Sequence, residues 1–452
     1  MKIVVLVKPS RGEITPFDGA ALECALELGA DVTVVSMAPL SSLSALESLT
    51  RLSLSATLVS DSSYAGSDTL ATSYILAEVI RRLSPDLVFA GRQSIDGDTA
   101  QVPPMIAERL GLRLIPKVME MNGRSVRTRN GEEYTLEKGD VVTFERIRTL
   151  RFPSIFSKKR EVDVLDNSVL GLDKSKCGLE GSPTRVVRSY ESSVGRRASK
   201  PFDISSLDSL IREGLEAKRE KTREEHPRAE VIYYLGGCRE IAEEYAKKAV
   251  KIHHEDRSPE SIAEELIRLG AKIVFFDDSD EMKLLSARLS VITGSGLCAD
   301  CISVRQDERG FIMTRPALGG NITADIVATS PMSFATVRCK KSGADVMIAV
   351  GRGAVDYIDD IRTLAGVIGA EVVSTRAVVD SGYMPYTSQV GVTGRIVSPR
   401  VYIALGVSGA VQHTAAISGS DVIIAVNSDK DARIFDYADF GLVTDIKNLF
   451  RR

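Results

Sequence analysis

Residues 401–427 read VYIALGVSGAVQHTAAISGSDVIIAVN. The apolar run Val401 to Leu405 has the length of a buried strand. Gly406, Ser408 and Gly409 interrupt it, Ala410 to Ile417 is helix-compatible, and a second apolar run, Val422 to Val426, closes the unit on Asn427. A strand, turn, helix, strand unit of this size builds parallel sheets. The turn after its first strand opens a helix N-terminus, where free N–H groups and the dipole attract phosphate. Glycine allows close backbone approach, and Ser408 is expected as the helix cap or as a phosphate ligand. From the pattern alone, a nucleotide site and an ordinary tight turn both remain open.

The chain has 452 residues, which at roughly 100–200 residues per domain implies more than one. It is 44% apolar and 26% charged, enough to build buried cores. A net charge of −3 argues against a general nucleic-acid binder, which needs a basic face. No apolar run approaches the ~18 residues of a membrane span. MKIVVLVKP lacks a signal-peptide cleavage region and reads as a first strand. A cytoplasmic protein, not itself a membrane protein, is expected. Cys298 and Cys301 form a lone CxxC with no second pair and no nearby histidine, so the six cysteines are expected as buried free thiols. Of the four histidines, His253 and His254 are adjacent and point apart on a helix or a strand, so no metal site is expected.

From the amino terminus, strand Lys2 to Val7, helix Phe17 to Leu28, strand Val32 to Ser36, helix Ala45 to Leu52 and strand Thr57 to Ser60 alternate. A helix capped by Asp68 or Ser67 and a strand from Leu87 to Ala90 follow. This alternation predicts an α/β fold with a largely parallel sheet. The loop GRQSIDGDTAQVPPMIAERLGL, residues 91–112, lies just past that last strand, where ligands of open α/β sheets bind. Asp96, Asp98 and Thr99 could hold a ribose or phosphate there; a polar turn with a capped helix is the alternative. Between 189 and 228 the chain turns polar. Ile204, Leu207, Leu210, Ile211 and Leu215 then form a helical stripe, and a junction is expected at 223–229. Beyond it, Val231 to Leu235, Ile252 to His254, Ile273 to Phe276 and Val291 to Ile292 read as strands, with SIAEELIRLGA and EMKLLSARLS as helices.

SQVGVTGRIVSPRVYIA, GVSGAVQHTA, DVIIAVNSD and IFDYADFGLVTDI together resemble the FAD-binding domain of the electron transfer flavoprotein alpha subunit. Its pattern is close to QVGQTG, GISGAIQH, AINKD and IFxxADYG with a late Asp. AGSDTLATSYILAEVIRRLSPDLVFAGRQSIDGDTAQVPPMIAERLG resembles the beta subunit, and that likeness extends from MKIVVLVKP to CGLEGSPTRVV. TGSGLCADC, RPALGGNITADIV and ATVR resemble the alpha amino-terminal domain. The chain thus looks like a beta subunit followed by an alpha subunit, fused end to end. The resemblance implies two related parallel-sheet, nucleotide-binding-like domains plus a carboxyl-terminal doubly wound FAD-binding domain. Residues 1–225 would be beta-like and end in a helical arm, 226–337 the alpha-like amino-terminal domain and 338–452 the FAD-binding domain.

Carried over position by position, the resemblance sets Arg376 beside the isoalloxazine ring, Thr393 at flavin N5 and His413 at the C2 carbonyl side. Thr375 and Ser408 fall near the phosphates and ribityl chain, Asn427 and Asp445 near the adenosine, and Gln389 and Gln412 complete the FAD set. Reduced flavin carries negative charge along N1 and the C2 carbonyl, so a donor and a cation there stabilise it. Asp98, Thr99, Gln101 and Val102 match the beta-subunit pocket for AMP or a second FAD. In RIRTLRFPSIFSKKREV, Ile155 stands where the family has a protruding Leu that docks dehydrogenases, and Lys158, Lys159 and Arg160 replace a longer basic helix. Pro103 replaces a family Gly, Val392 a family Gln, and SDKDARIF the usual KDPEAPIF.

The implied activity is a carrier of single electrons on FAD, with no catalytic residue of its own. It would take them from flavin dehydrogenases, such as the acyl-CoA dehydrogenases of fatty acid oxidation, and pass them to a quinone-linked oxidoreductase. An electron-bifurcating alternative oxidises NADH on a second FAD and reduces ferredoxin. A further alternative binds adenine nucleotide without redox work.

Overall fold

The computed structural model describes the chain except residues 11, 95, 192–195, 217–227, 309, 321, 340–343, 393 and 451–452, and the side chain of residue 319. The expected junction at 223–229 lies largely outside the described residues, as does Thr393. The chain divides into two compact units. One comprises Met1–Ser189, His226–Leu318 and Ala324–Arg338; the other Tyr190–Glu225, Gly319–Thr323 and Cys339–Arg452.

The first unit opens with a nine-stranded sheet. Its order is Glu133–Thr135, Ser125–Thr128, Leu114–Asn122, Asp140–Phe144, Leu87–Gly91, Lys2–Leu6, Asp31–Met37, Ser55–Val59 and Asp163–Leu165. From Leu114–Asn122 onward every pairing is parallel, and the first two strands add an antiparallel ribbon. Ile3, Val5, Val34, Val88 and Phe89 are buried because helices cover both faces, which is why these strands read as unbroken apolar runs. The chain moves outward from Lys2–Leu6 on one side and then crosses to Leu87–Gly91 on the other. The carboxyl ends of those two strands therefore flank a topological switch point. Asp68 is the cap of helix Thr69–Leu83, accepting the Leu70 and Ala71 N–H groups at 2.9 and 3.0 Å.

The part of this unit from Ala229 on holds a five-stranded parallel sheet ordered Ala246–Lys251, Ala229–Leu235, Ile273–Asp277, Ser333–Val337 and Gly296–Cys301. Two expectations change here. Val291 and Ile292 belong to helix Asp280–Thr293, because two apolar residues alone set no period. Ile252 to His254 follow a strand instead of forming one; the strand itself, AKKAVK, is a charged, exposed edge whose polarity masked it. Leu70 and Met105 share a core with Leu235, Ile262, Phe276 and Phe334, so the nine- and five-stranded sheets of this unit are packed through one apolar layer. A four-stranded sheet runs Thr184–Glu191, Ile322–Ala328, Gly310–Ala317 and Ser303–Asp307.

The second unit is an all-parallel sheet ordered Lys200–Pro201, Phe440–Val443, Val422–Asn427, Val401–Leu405, Val346–Val350 and Glu371–Ser374. Apolar clusters cover both of its faces. Helix Leu207–Glu216, expected from its stripe, buries Leu210 and Ile211 against Val346, Val401 and Ile424. Gly214 permits this approach, since a Cβ there would stand 2.7 Å from Val401 Cγ2. The arm after residue 190 is therefore built into this sheet. The order reverses between Val346–Val350 and Val401–Leu405, which makes a second switch point.

All six cysteines are free thiols, five of them buried, as expected. Among the described residues no helix is long and apolar enough to cross a membrane.

Candidate functional site

At the carboxyl ends of the second unit's strands, three loops meet backbone to backbone. A Cβ on Gly351 would overlap the Gly406 carbonyl oxygen, and one on Gly409, whose φ is +84°, would overlap the Ile434 backbone nitrogen. Only glycine lets these chains approach so closely. Asn427, nearly buried at the end of its strand, donates Nδ2 to the Val407 carbonyl at 2.8 Å and accepts the Asp429 N–H at 3.0 Å.

Around this junction lie most residues expected at FAD. Ser408, Gln412 and Arg376 are exposed and Thr375 is half-buried. Thr375 flanks helix Arg376–Asp380 without a side-chain cap bond, its N–H held by the Val350 carbonyl at 3.0 Å. Arg376 pairs with Asp380 at 3.1 Å. Gln389 is fully buried, and its backbone bridges Ser374 at the end of the edge strand. Ser408 does not cap the following helix: Ala410 flanks Val411–Ile417 and no side chain caps it, because the glycine turn places the serine two residues too early. His413 points inward, with Nε2 3.0 Å from the Tyr402 hydroxyl and Nδ1 3.2 Å from the Val390 carbonyl. Burial pushes its imidazole down to about 4. Asp445 lies past the next strand, Phe440–Val443, where it accepts the Lys447 N–H at 2.9 Å. An exposed guanidinium, hydroxyl and amide around a glycine-lined switch point fit a dinucleotide such as FAD, whose pyrophosphate needs donors and whose ring needs polar edges.

The first unit has its own crevice. Gly91 ends its strand against Asp18, which leaves no room for a Cβ. Asp18 accepts the Lys8 N–H at 3.0 Å, while the Asp18 N–H is capped by the Thr15 hydroxyl at 3.0 Å. Burial pushes the Asp18 carboxyl up to about 7, against hydrogen bonds from Lys8, Thr15 and Gly91. Lys8 also pairs with Asp96 at 2.7 Å. Burial pushes Asp96 up, but the Lys8 charge and its hydrogen bonds outweigh it and hold the carboxyl below its usual range. Asp98 and Ala100 have φ of +50° and +56°, and Gln93 donates to Asp98 Oδ1 at 3.0 Å, so Asp98 shapes the turn. Thr99 is half-buried. Gln101 is 2% exposed, and its Oε1 is buried with no hydrogen-bond partner among the described residues. Val102 begins helix Val102–Leu110. Lys8 and Asp18 were missed in the sequence; a carboxylate among small and apolar residues on the first turn of helix PFDGAALECAL was the available signal.

Ile155 stands at the tip of a loop with two aromatic neighbours: Phe152, Ile155 and Phe156 are 94%, 85% and 86% exposed. The loop is anchored from below. Arg51 donates to the Ser154 and Ser157 carbonyls at 3.1 and 3.3 Å, and Arg151 grips Glu23 at 2.6 Å. Lys159 pairs with Glu47 at 3.4 Å. The tip is thus an exposed apolar patch held in place by ion pairs and hydrogen bonds beneath it. The two phenylalanines went unnoticed because an aromatic in a polar stretch reads equally well as buried.

Fold and sites together define a nucleotide-binding α/β protein with two switch-point crevices and an exposed apolar tip. Residues 3–137 and 235–355 match the electron transfer flavoprotein domain, and residues 342–418 the electron transfer flavoprotein FAD-binding domain. The chain belongs to the electron transfer flavoprotein family, with a beta-like part followed by an alpha-like part. It is similar to the electron transfer flavoprotein subunit beta of Clostridium acetobutylicum, at 37% identity over 230 residues, 47% of this chain and 86% of that protein. It is also similar to subunit alpha of Bacillus subtilis, 32% identical over 216 residues, and spans 38% of this chain and 66% of that relative. Protein FixB of Azorhizobium caulinodans is 41% identical over 142 residues, 30% of this chain and 38% of its own length.

Proposed function

We propose that this chain carries electrons singly on one FAD held at the crevice of its second unit, and that its first crevice holds an adenine nucleotide. The observation that carries the first part is the meeting of the Gly351, Gly406 and Gly409 loops at a switch point ringed by Arg376, Ser408 and Gln412. Bound there, FAD would supply a centre that takes up and releases electrons one at a time. Arg376 would offer a cation to the ring, Ser408 and Thr375 hydroxyls to the phosphates and ribityl chain, and Asn427 and Asp445 would lie toward the adenosine. Gln389, wholly shielded from water, would support the loop on the ring side of the site, and Thr393 would serve N5. Three parts, 1–225, 226–337 and 338–452, remain our proposed division by descent.

For the first crevice, the buried Gln101 Oε1 without a partner favours a ligand that donates a hydrogen bond, as an adenine amino group or a ribose hydroxyl does. Asp98, Thr99 and Val102 complete that set, whether for AMP or for the adenosine of a second FAD. Phe152, Ile155 and Phe156 would dock flavin dehydrogenases, acyl-CoA dehydrogenases among them, with a quinone-linked oxidoreductase as acceptor. With a second FAD the partners would be NADH and ferredoxin instead. Free thiols fit a reducing, cytoplasmic setting.

The visible spectrum of the purified protein, with nucleotides extracted and counted per chain, tests this. One FAD with one AMP supports the carrier, and two FAD support bifurcation. No flavin after reconstitution overturns the FAD reading and leaves only adenine-nucleotide binding.

A further inference from the structure

We propose that Tyr402 is a positioning residue of the second crevice: its hydroxyl donates to Nε2 of a neutral His413, whose proton the Val390 carbonyl holds on Nδ1, and so fixes the orientation of the ring. The functional consequence rests on reading this crevice as the FAD site; the proton assignment does not.

The assignment follows from the two partners. Val390 offers a carbonyl oxygen, which only accepts, 3.2 Å from Nδ1. The proton of the ring is therefore on Nδ1, and Nε2 of a neutral imidazole is then an acceptor. The group 3.0 Å from Nε2 is the Tyr402 phenol, which can donate. Tyr402 is fully buried and His413 is 5% exposed, so water competes for neither bond. An imidazolium would bury a charge there, and among the described residues no carboxylate pairs with it. The charged group acting on this pair is Arg395, which bears on Tyr402 and is itself held by Glu371. Burial of the ring likewise disfavours its charged form.

The chain of contacts has a direction. Tyr402 projects from strand Val401–Leu405, His413 from helix Val411–Ile417, and Val390 lies on the loop after Gln389. A second bond, Val392 N–H to the Gln412 carbonyl at 2.9 Å, holds the same loop to the same helix. His413 is thus a clamp that keeps loop 389–392 on its helix, and its one N–H is committed to Val390. As placed here it has no N–H left for the flavin C2 carbonyl. The positive partner of reduced flavin must come from Arg376 or from backbone donors. Without the Tyr402 hydroxyl the Val390 carbonyl still holds the proton on Nδ1, but Nε2 loses its donor and the ring is tied to the loop alone.

The test uses the full chain labelled with nitrogen-15 at histidine, free of flavin, together with its Tyr402→Phe variant. Four histidines give four resolvable ring patterns, and His413→Gln assigns the one in question. Long-range proton–nitrogen correlations are expected to show wild-type His413 neutral and Nδ1-protonated from pH 8 to pH 5. In Tyr402→Phe the proton is expected to stay on Nδ1 while the Nε2 resonance shifts, because that nitrogen has lost its donor. FAD affinity, read by fluorescence titration, should fall about tenfold, or ~1.4 kcal/mol. An Nε2-protonated or charged His413 in the wild type overturns the proposal even if the variant does not fold. An unchanged ring pattern and unchanged FAD affinity in a folded variant overturn it as well. A wild type with the expected tautomer that binds no FAD would support the proton assignment and remove the flavin reading alone.

Discussion

Asn427 and Val407 are joined by a single buried hydrogen bond, Nδ2 to carbonyl oxygen at 2.8 Å, across the ends of two neighbouring parallel strands. The same side chain accepts from Asp429, so it ties the glycine turn after one strand to the loop after the next. Asn427→Ala should cost about 1–3 kcal/mol, the cost of stranding a buried carbonyl. Chemical denaturation of the flavin-free chain measures it. FAD retention through gel filtration should fall in the same variant; full retention with unaltered stability would remove Asn427 from the site.

Gly351→Ala places a methyl group inside the Gly406 carbonyl oxygen, where neither backbone can yield cheaply. A loss of about 1–3 kcal/mol is expected, with a bleached or strongly weakened flavin spectrum. Gly366→Ala is the control, because a Cβ there meets nothing within 4 Å; its effect should be stabilising by a few tenths of a kcal/mol to about 1 kcal/mol, as for glycine within a helix.

Asp18 gives a pH signature of unusual sign. Burial raises its folded pKa to about 7 from an ordinary 3.8. The folded chain therefore keeps a proton that the unfolded chain releases, and this contribution is present at low pH and lost as pH rises from about 4 to 7. Glu23, Asp280 and Asp300 have lowered values and contribute the opposite slope. Subtracting the stability of Asp18→Asn from that of the wild type across pH 4–8 should isolate a difference that declines with pH. A flat or rising difference would mean that Asp18 is ionised in its crevice.

Phe152→Ser with Phe156→Ser should slow reduction by a partner dehydrogenase at least tenfold in stopped-flow mixing, since exposed aromatic anchors dominate docking energies. The absorption spectrum and the melting temperature should not move, because both rings are about nine-tenths exposed. Unaltered reduction kinetics would assign the tip some other partner.

Much of this architecture could be read directly. The glycines after VYIAL and the aspartate before TLATSYIL act through local chemistry that survives any context, and of the two candidate caps, Asp68 and Ser67, Asp68 is the cap, whereas Ser408 does not cap the helix after it. Apolar runs such as IVVL and VIIAV mark strands covered on both faces, so no alternation was needed to find them. The strand AKKAVK was hidden because an exposed edge strand carries charges, and Val291 with Ile292 misled because two residues define no period. At the site, sequence indicated which residues gather at the strand ends but not which way they face. His413 turns toward Tyr402, eleven residues away, and only the packing of helix on strand decides that. Asp18 and the tip phenylalanines depend in the same way on what the rest of the chain covers.

The arm that contributes strand Lys200–Pro201 and helix Leu207–Glu216 to the second sheet changes what it would mean to divide this molecule. Cutting the reading frame within 217–227 would not yield two self-sufficient polypeptides. The later piece would be born with Val346, Val401 and Ile424 partly uncovered and with an unprotected strand edge at Phe440–Val443, an invitation to aggregate. Its earlier companion would have to be synthesised alongside it and arrive promptly. Continuity of the backbone makes their supply equal and their meeting certain, so that gene dosage and translation order cease to matter for this sheet.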